Sequence, residues 1–296
     1  MRKKFLIYLI LFISFSIYAQ KFSIDGSYSP DLYTGLDDFF IKDSFIVYKI
    51  EQTEEKRNVK YKEIHKDGML FFQLNEKFSL DITEEHLYYG KTVDTSNTLL
   101  VLAGKEFYKD FYGAEKEKIL FFGETAGFEE YDCFVTSSLH FYDHVGREYY
   151  DCTSYLKEKN KDYEVENLDD CKPGTPWVEN ADGPGIGEGF TIKNSFVYPY
   201  LLIMNGYISY DKPYLYKQNN RIKKIKVTGV TSGKSKVLDV LDTPHPQTVD
   251  ISFLTEPEDI RVEIADVYKG TKYDDTCINF LVTYLDKVIP YEDSIK

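Results

Sequence analysis

A glycine- and proline-rich stretch, TPWVENADGPGIGEGF at residues 175–190, contains residue types that can bind sugars. Trp177 is the single tryptophan of the chain, and Glu179 and Glu188 follow it. An aromatic ring on a rigid loop can stack on the apolar face of a sugar, while carboxylates bind its hydroxyl groups. The alternative is structural: Trp177 closes the end of a core, and the two carboxylates accept backbone N–H groups that hold the glycine loops.

Paired carboxylates such as Glu179 and Glu188 could also act as the acid and the base or nucleophile of a glycosidase. The chain has 49 acidic residues, however, so such pairs arise by chance. Neither half of the sequence combines a nucleophile, a base and an oxyanion donor, and no cysteine or histidine spacing is typical of zinc. We therefore predict a protein without catalytic activity, and we expect no cofactor and no metal.

A short basic run lies further along, formed by Arg221, Lys223, Lys224 and Lys226. If this segment is a strand, alternation turns Ile225 and Val227 inward and leaves the lysines on a solvated face. The alternative is an anion contact through Arg221, because a guanidinium group can grip a carboxylate or a phosphate with two parallel hydrogen bonds.

The N-terminal residues MRKKFLIYLILFISFSIYAQ place basic residues before an apolar run, which is the layout of a secretory signal peptide. We expect cleavage near Ala19 and a mature chain that is secreted, periplasmic or part of the cell envelope; a membrane anchor is the alternative. The net charge of -13 argues against nucleic acid or an anionic membrane as the main partner, and we expect no stable membrane insertion.

The elements that must position these residues are strands. The sequence has 26 Tyr and 21 Phe, and from Ser44 to Phe141 it alternates short apolar runs with charged turns, which predicts a small antiparallel barrel or sandwich. A charged segment at residues 158–174 separates this half from a second series of strand-like runs. With residues 152–158 added, the second half has about eight predicted strands, which suits a jelly-roll sandwich. We predict an all-β protein.

The second half carries motifs that resemble a known family. TPWVEN, GIGE, NGY, NNR and VYKGTKYDDTCI follow one another between about Asp151 and Asp286. This series resembles the discoidin-like (factor V/VIII type C) domain of the NAD glycohydrolase translocation type, a glycan-binding type of domain found in exported bacterial proteins. The sequence departs from the family pattern at residues 279–281, where Asn-Phe-Leu replaces Ser-Glu-Ile. The NAD-cleaving domain of such proteins is not part of the resemblance.

The resemblance implies a discoidin-like jelly roll at residues 151–286, after a signal peptide (1–19) and a β-rich domain (20–150), and before a tail (287–296). Its expected ligand contacts are Trp177, Glu179, Asn205, Tyr207, Asn220, Arg221 and Tyr268. The leading hypothesis is an exported binding protein that recognises a glycan or a glycosylated surface. The alternatives are a glycosidase that uses Glu179 and Glu188, and a structural envelope protein that binds another protein.

Four cysteines in an exported chain predict two disulfides, although four cysteines allow three connectivities and buried free thiols are the alternative. We expect Cys171–Cys277, since a jelly roll could bring the loop before the Trp motif to the start of the last strand. We also expect Cys133–Cys152, which flank a candidate hairpin.

Overall fold

The computed structural model describes residues 26–28, 36–50, 56–74, 79–80, 93–94, 98–125, 148–170, 174–209 and 211–290. Almost all regular structure in these ranges is strand, which confirms the all-β prediction. None of the helices in this part of the chain is long and apolar enough to cross a membrane. The expected signal peptide and the predicted strand at residues 133–142 lie outside the described residues.

The N-terminal half forms an antiparallel sheet in the linear order β1-β2-β3-β4-β5-β8, and β9 pairs with β8. Asp67 and Gly68 both have positive φ and form the tight turn between β4 and β5, as Asp-Gly pairs do in two-residue hairpins. The strands are β1 (Gly26–Tyr28), β2 (Leu36–Lys42), β3 (Phe45–Ile50), β4 (Lys56–Lys66), β5 (Met69–Leu74), β6 (Ser79–Leu80), β7 (Val93–Asp94), β8 (Thr98–Lys109) and β9 (Glu115–Thr125).

The second half forms a nine-stranded sheet in the order β10-β14-β19-β16-β20-β15-β18, with β13 on β20 and β17 on β16. A 3₁₀ helix (Val165–Asp169) and a short helix, α1 (Leu215–Gln218), lie in its loops. The strands of this half are β10 (Tyr149–Tyr150), β11 (Lys157–Glu158), β12 (Lys161–Asp162), β13 (Trp177–Val178), β14 (Gly189–Ile192), β15 (Tyr200–Asn205), β16 (Asn220–Gly229), β17 (Ser235–Asp239), β18 (Gln247–Asp250), β19 (Ile260–Tyr268), β20 (Thr276–Tyr284) and β21 (Lys287–Pro290). Of these, β11 and β12 form a separate two-stranded sheet, and β21 pairs with β8.

Alternating side chains of this second sheet enclose one hydrophobic core. On β16, Ile225 and Val227 are completely buried and face inward, as the sequence pattern predicts. Ile260, Val262 and Ile264 of β19 join the same core. Eight strands of this sheet contribute buried residues to the core, which fills the sandwich interior that a discoidin-like fold requires.

The N-terminal sheet packs on the outer face of this domain. Every residue of β20 is buried, which is typical of a strand that is covered on both sides. A second core joins Met69, Phe71 and Leu102 of the N-terminal sheet to apolar residues of the domain, among them Leu202, Met204, Phe280, Val282 and Tyr284.

Strand β21 ties the two halves together. Residues 287–290, which the sequence analysis assigned to a tail, pair with residues 104–107 of β8. Val288 is buried, and its side chain fills the space that a Cβ on Gly104 would need. The chain thus returns to the N-terminal sheet after completing the domain.

The described residues contain no disulfide. Cys152 and Cys277 are free thiols, and their expected partners Cys133 and Cys171 lie outside the described residues. Cys277 is completely buried against Val178 and Tyr163, and burial raises the pKa of its thiol well above the ordinary value. A small apolar side chain suits that position, which corresponds to the free-thiol alternative.

Candidate functional site

Trp177 belongs to the core rather than to an open loop. Its side chain is completely buried, and its ring packs edge-on against Phe190 with the centroids 5.2 Å apart. The indole Nε1 donates a hydrogen bond to the carbonyl oxygen of Ser154 at 3.1 Å. A ring enclosed in this way offers no face to a sugar, so the structure removes Trp177 from the expected ligand contacts and favours the structural alternative.

Glu179 is also buried, and both of its carboxylate oxygens bind the main chain. Oε1 accepts the N–H of Thr276 at 3.0 Å, and Oε2 accepts the N–H of Ala181 at 2.7 Å. Desolvation raises the pKa of this carboxyl, while the two backbone hydrogen bonds act in the opposite direction. Gly185 has φ +65°, and a Cβ there would lie 2.4 Å from the Glu179 carboxyl carbon. Glu179 therefore fixes the glycine loop.

Glu188 fixes a different segment. Its Oε2 accepts hydrogen bonds from the hydroxyl groups of Thr153 and Ser154, each at 2.5 Å. The carboxylate thus joins the glycine loop to the segment before β11. Since Glu179 and Glu188 both bind their own chain, their geometry gives no support to the glycosidase alternative.

Two buried asparagines join neighbouring segments of the chain at the same end of the domain. Asn205 accepts the N–H of Ile222 at 2.9 Å and donates to the carbonyl oxygen of Ile222 at 2.7 Å. Asn220 accepts the N–H of Gly270 at 2.7 Å and donates to the carbonyl oxygen of Asp274. Both side chains use donor and acceptor on backbone groups, which leaves neither amide for a ligand.

Arg221 forms a bidentate ion pair with Asp242. Nε lies 2.7 Å from Oδ1 and Nη2 lies 3.0 Å from Oδ2, while Nη1 donates to the carbonyl oxygen of Asn219 at 3.0 Å. Tyr216 donates its hydroxyl proton to Asp242 at 3.0 Å. The hydrogen bonds and the charge of Arg221 lower the pKa of Asp242 against its desolvation. The guanidinium group therefore has its carboxylate partner within the chain, and the anion contact proposed for Arg221 is not available.

The two expected tyrosines are partly exposed. Tyr268 donates its hydroxyl proton to the carbonyl oxygen of Val240 at 3.1 Å. Tyr207 lies beside Tyr163, with the two hydroxyl oxygens 3.4 Å apart, and the Lys161 ammonium stands 5.8 Å from its ring centroid. Burial lowers the pKa of Lys161 and raises the pKa of Tyr207. Tyr207 is thus a candidate contact that keeps some access to solvent.

The basic run is neutralised by partners on adjacent strands and in the loop after β17. Arg221 pairs with Asp242, and the three lysines form ion pairs that are Lys223–Asp266 at 2.8 Å, Lys224–Asp239 at 3.4 Å and Lys226–Glu263 at 2.8 Å. This face is therefore solvated and balanced in charge, as the sequence analysis favoured.

The buried residues Glu179, Asn205, Asn220 and Arg221 lie at one end of the sandwich, which we call the motif end. Around them, residues 213–218 and 270–275 form a rim. Two backbone hydrogen bonds connect these segments, from Thr271 N to Lys217 O and from Tyr273 N to Gln218 O. Tyr214 and Tyr273 are 45% and 36% exposed on this rim. The Lys272 ammonium stands 4.6 Å from the Tyr273 ring centroid. Sequence reasoning missed these aromatic residues because they belong to no periodic pattern.

A groove of about 570 Å³ lies near the opposite end of the domain. Tyr150 on its wall is 37% exposed, and its hydroxyl donates to Asp259 at 2.5 Å. Lys193 on the same wall forms an ion pair with Glu148. Both polar pairs are satisfied within the chain.

Within the described ranges, no group of three or more His, Cys, Asp or Glu side chains could hold a metal ion.

Comparison with known proteins identifies this half of the chain. Residues 141–283 match the model of the NAD glycohydrolase translocation F5/8 type C domain, which begins before the boundary expected at residue 151. The matched family is a translocation type of domain and not a catalytic family. No curated protein and no solved structure gives a match.

Proposed function

Residues 141–283 form a domain of the NAD glycohydrolase translocation F5/8 type C family, and from this premise we propose that the protein is an exported glycan-binding protein. The domain recognises a glycan or a glycosylated surface through the rim of its motif end. The translocation type of the family supports an exported binding role. The N-terminal sheet packs on the outer face of the domain, and Tyr214 and Tyr273 of the rim remain 45% and 36% exposed.

One observation carries the proposal: buried polar side chains immobilise the loops beneath exposed aromatic rings. Glu179, Asn220 and Arg221 bind the main chain of the segments next to the rim. A rigid loop loses little entropy when it binds, so a preformed rim favours affinity. Tyr214 and Tyr273 offer rings for stacking on a sugar, and Lys272 offers hydrogen-bond donors to hydroxyl or carboxylate groups.

The test is a glycan array with the purified protein, followed by titration of the strongest glycan. Tyr273→Ala should weaken binding by at least about 1 kcal/mol, roughly fivefold, as expected for an aromatic anchor. Tyr150→Ala is a matched control, because Tyr150 is equally exposed but lies in the opposite groove. Both tyrosines are at the surface, and thermal melts should show little change for either variant.

Two outcomes would contradict the proposal. Absence of glycan binding by the unmodified protein would refute glycan recognition itself. Loss of binding in Tyr150→Ala, with normal binding in Tyr273→Ala and Tyr214→Ala, would move the site from the rim to the groove.

A further inference from the structure

The turn between β8 and β9 carries the most exposed apolar side chains of the described residues. Phe111 is 97% exposed and Tyr112 is 90% exposed, and no other large apolar side chain in these ranges exceeds 67%. Two adjacent aromatic rings in water are unfavourable for an isolated soluble chain. Their position therefore calls for a partner.

The turn is built to hold these rings outward. Asp110 Oδ1 accepts the N–H groups of Tyr112 at 3.0 Å and Ala114 at 2.9 Å, and Gly113 supplies the positive φ of +79° that the turn needs. The two rings touch edge to face, with centroids 5.5 Å apart. The two aromatic rings therefore lie on a turn that is ordered by hydrogen bonds.

The hairpin stem carries this pair beyond the neighbouring strand. β8 and β9 pair up to Lys109 and Glu115, whereas β21 reaches β8 only as far as Phe107. Lys105 and Glu117 form an ion pair at 2.8 Å that joins the two strands of the stem. The tip is therefore convex and projects from the edge of the sheet.

Convexity and area decide which kind of partner fits. Two aromatic side chains bury about 150–250 Å² each, whereas a stable protein interface needs about 800 Å² from each partner. A bilayer needs no complementary surface and accepts a tip of any shape. Tyrosine also suits the interfacial layer, where its ring is apolar and its hydroxyl remains hydrated.

Charge at the tip is mixed, since the exposed Glu115 faces Lys109 across the last pair of the stem. Lys109 and Lys116 are exposed on the last residues of the stem, and their ammonium groups can reach lipid phosphates while their aliphatic stems follow the apolar layer. Asp110, the acidic residue within the turn, uses its carboxylate on backbone N–H groups.

We propose that the Phe111–Tyr112 tip inserts into the interfacial layer of a phospholipid bilayer. The contact is shallow and reversible, and it differs from a membrane-spanning segment because two side chains bury too little apolar surface for permanent anchoring. It acts independently of glycan recognition, and it places the N-terminal sheet, rather than the rim, against lipid.

The test uses a fluorescent residue at the tip of the full chain. Tyr112→Trp introduces indole at an exposed position, and vesicles of brominated phosphatidylcholine quench indole that enters the bilayer. We expect quenching and a blue shift for this variant. The unmodified protein is the first control, because Trp177 is completely buried. Phe196→Trp is the second, since Phe196 is exposed on the other half of the chain.

A second substitution measures the role of the neighbouring ring. Phe111→Ser in the Tyr112→Trp background should weaken vesicle binding about tenfold, because an apolar ring is lost from the bilayer. Lys109→Gln with Lys116→Gln should weaken binding to vesicles of phosphatidylcholine and phosphatidylglycerol more than to phosphatidylcholine alone. Absence of quenching in Tyr112→Trp, equal quenching in Phe196→Trp, or unchanged affinity after Phe111→Ser would each overturn the proposal.

Discussion

At the scale of single residues, the motif end is held together by polar side chains that bind main chain. Glu179, Asn205 and Asn220 each satisfy two or more backbone groups while they are completely buried. An unsatisfied buried polar group costs about 1 to 3 kcal/mol, so these residues remove a penalty that the crossing loops would otherwise carry. Side chains of types that could bind a sugar therefore stabilise the fold by binding backbone groups.

Trp177→Ala should lower the free energy of unfolding by about 3 to 5 kcal/mol, because it leaves a large cavity beside Phe190 and removes the indole hydrogen bond to the Ser154 carbonyl oxygen. Urea denaturation measures the change. Tyr273→Ala is the control and should alter stability by less than about 0.5 kcal/mol. A stable Trp177→Ala protein that had lost its glycan affinity would instead return Trp177 to the binding site.

Residue types alone could not separate these roles. Sugar binding and the stabilisation of loops use the same residue types, Trp, Glu, Asn and Arg. Burial of the side chain distinguishes the two roles. The partner of Arg221 is Asp242, which lies in a loop on the other side of β17 and has no sequence signature. The motifs that carry the resemblance lie at one end of the domain, but the sequence could not tell which side chains of that end face water.

At the scale of elements, alternation predicted most strands. Within the second series of strand-like runs, IRVEIADVY at residues 260–268 coincides with β19, and CINFLVTYL at residues 277–285 overlaps β20 almost completely. Strands β10 and β13 have only two residues each, too short for any periodicity, so the Trp177 segment was predicted as loop. β21 was missed because its four residues pair with a strand far away in the sequence.

Val288→Ala should destabilise the protein by about 2 kcal/mol, because it removes two buried carbon atoms at about 0.8 kcal/mol each and leaves a small cavity over Gly104. Ile289→Ala is the matched control, since the next residue of β21 is 41% exposed. Comparison of the two urea unfolding curves provides the measurement. Equal effects from both substitutions would contradict the docking of β21 described above.

At the scale of the whole molecule, a buried histidine joins the two halves. His245, in the loop after β17, accepts the N–H of Ala103 on Nδ1 at 3.0 Å and makes a further hydrogen bond with the main chain of Gly68. Burial, with a smaller repulsion from His65, lowers the pKa of His245 to about 3. His65 itself lies 3.8 Å from the carboxylate of Glu63. Sequence reasoning missed His245 because nothing local marks it as an interface residue.

Stability should therefore fall on acidification. The folded pKa of His245 lies below its unfolded value of 6.5, so the unfolded state takes up the proton first and gains on the folded state below pH 6.5. Between pH 7 and pH 5 this amounts to about 2 kcal/mol. His245→Asn keeps an acceptor for Ala103 and removes the titration, so its urea stability should change less between these pH values. Identical pH dependence in both proteins would exclude His245 as the cause.

The return of β21 also dictates an order of events during synthesis. Its partner β8 is made before the whole F5/8 type C domain, and β21 is made after it. The N-terminal sheet therefore lacks the pairing of β8 with β21 until residue 290 has been synthesised. Closing so long a loop slows folding. The return of β21 thus delays completion of the N-terminal sheet until residues 287–290 have been made.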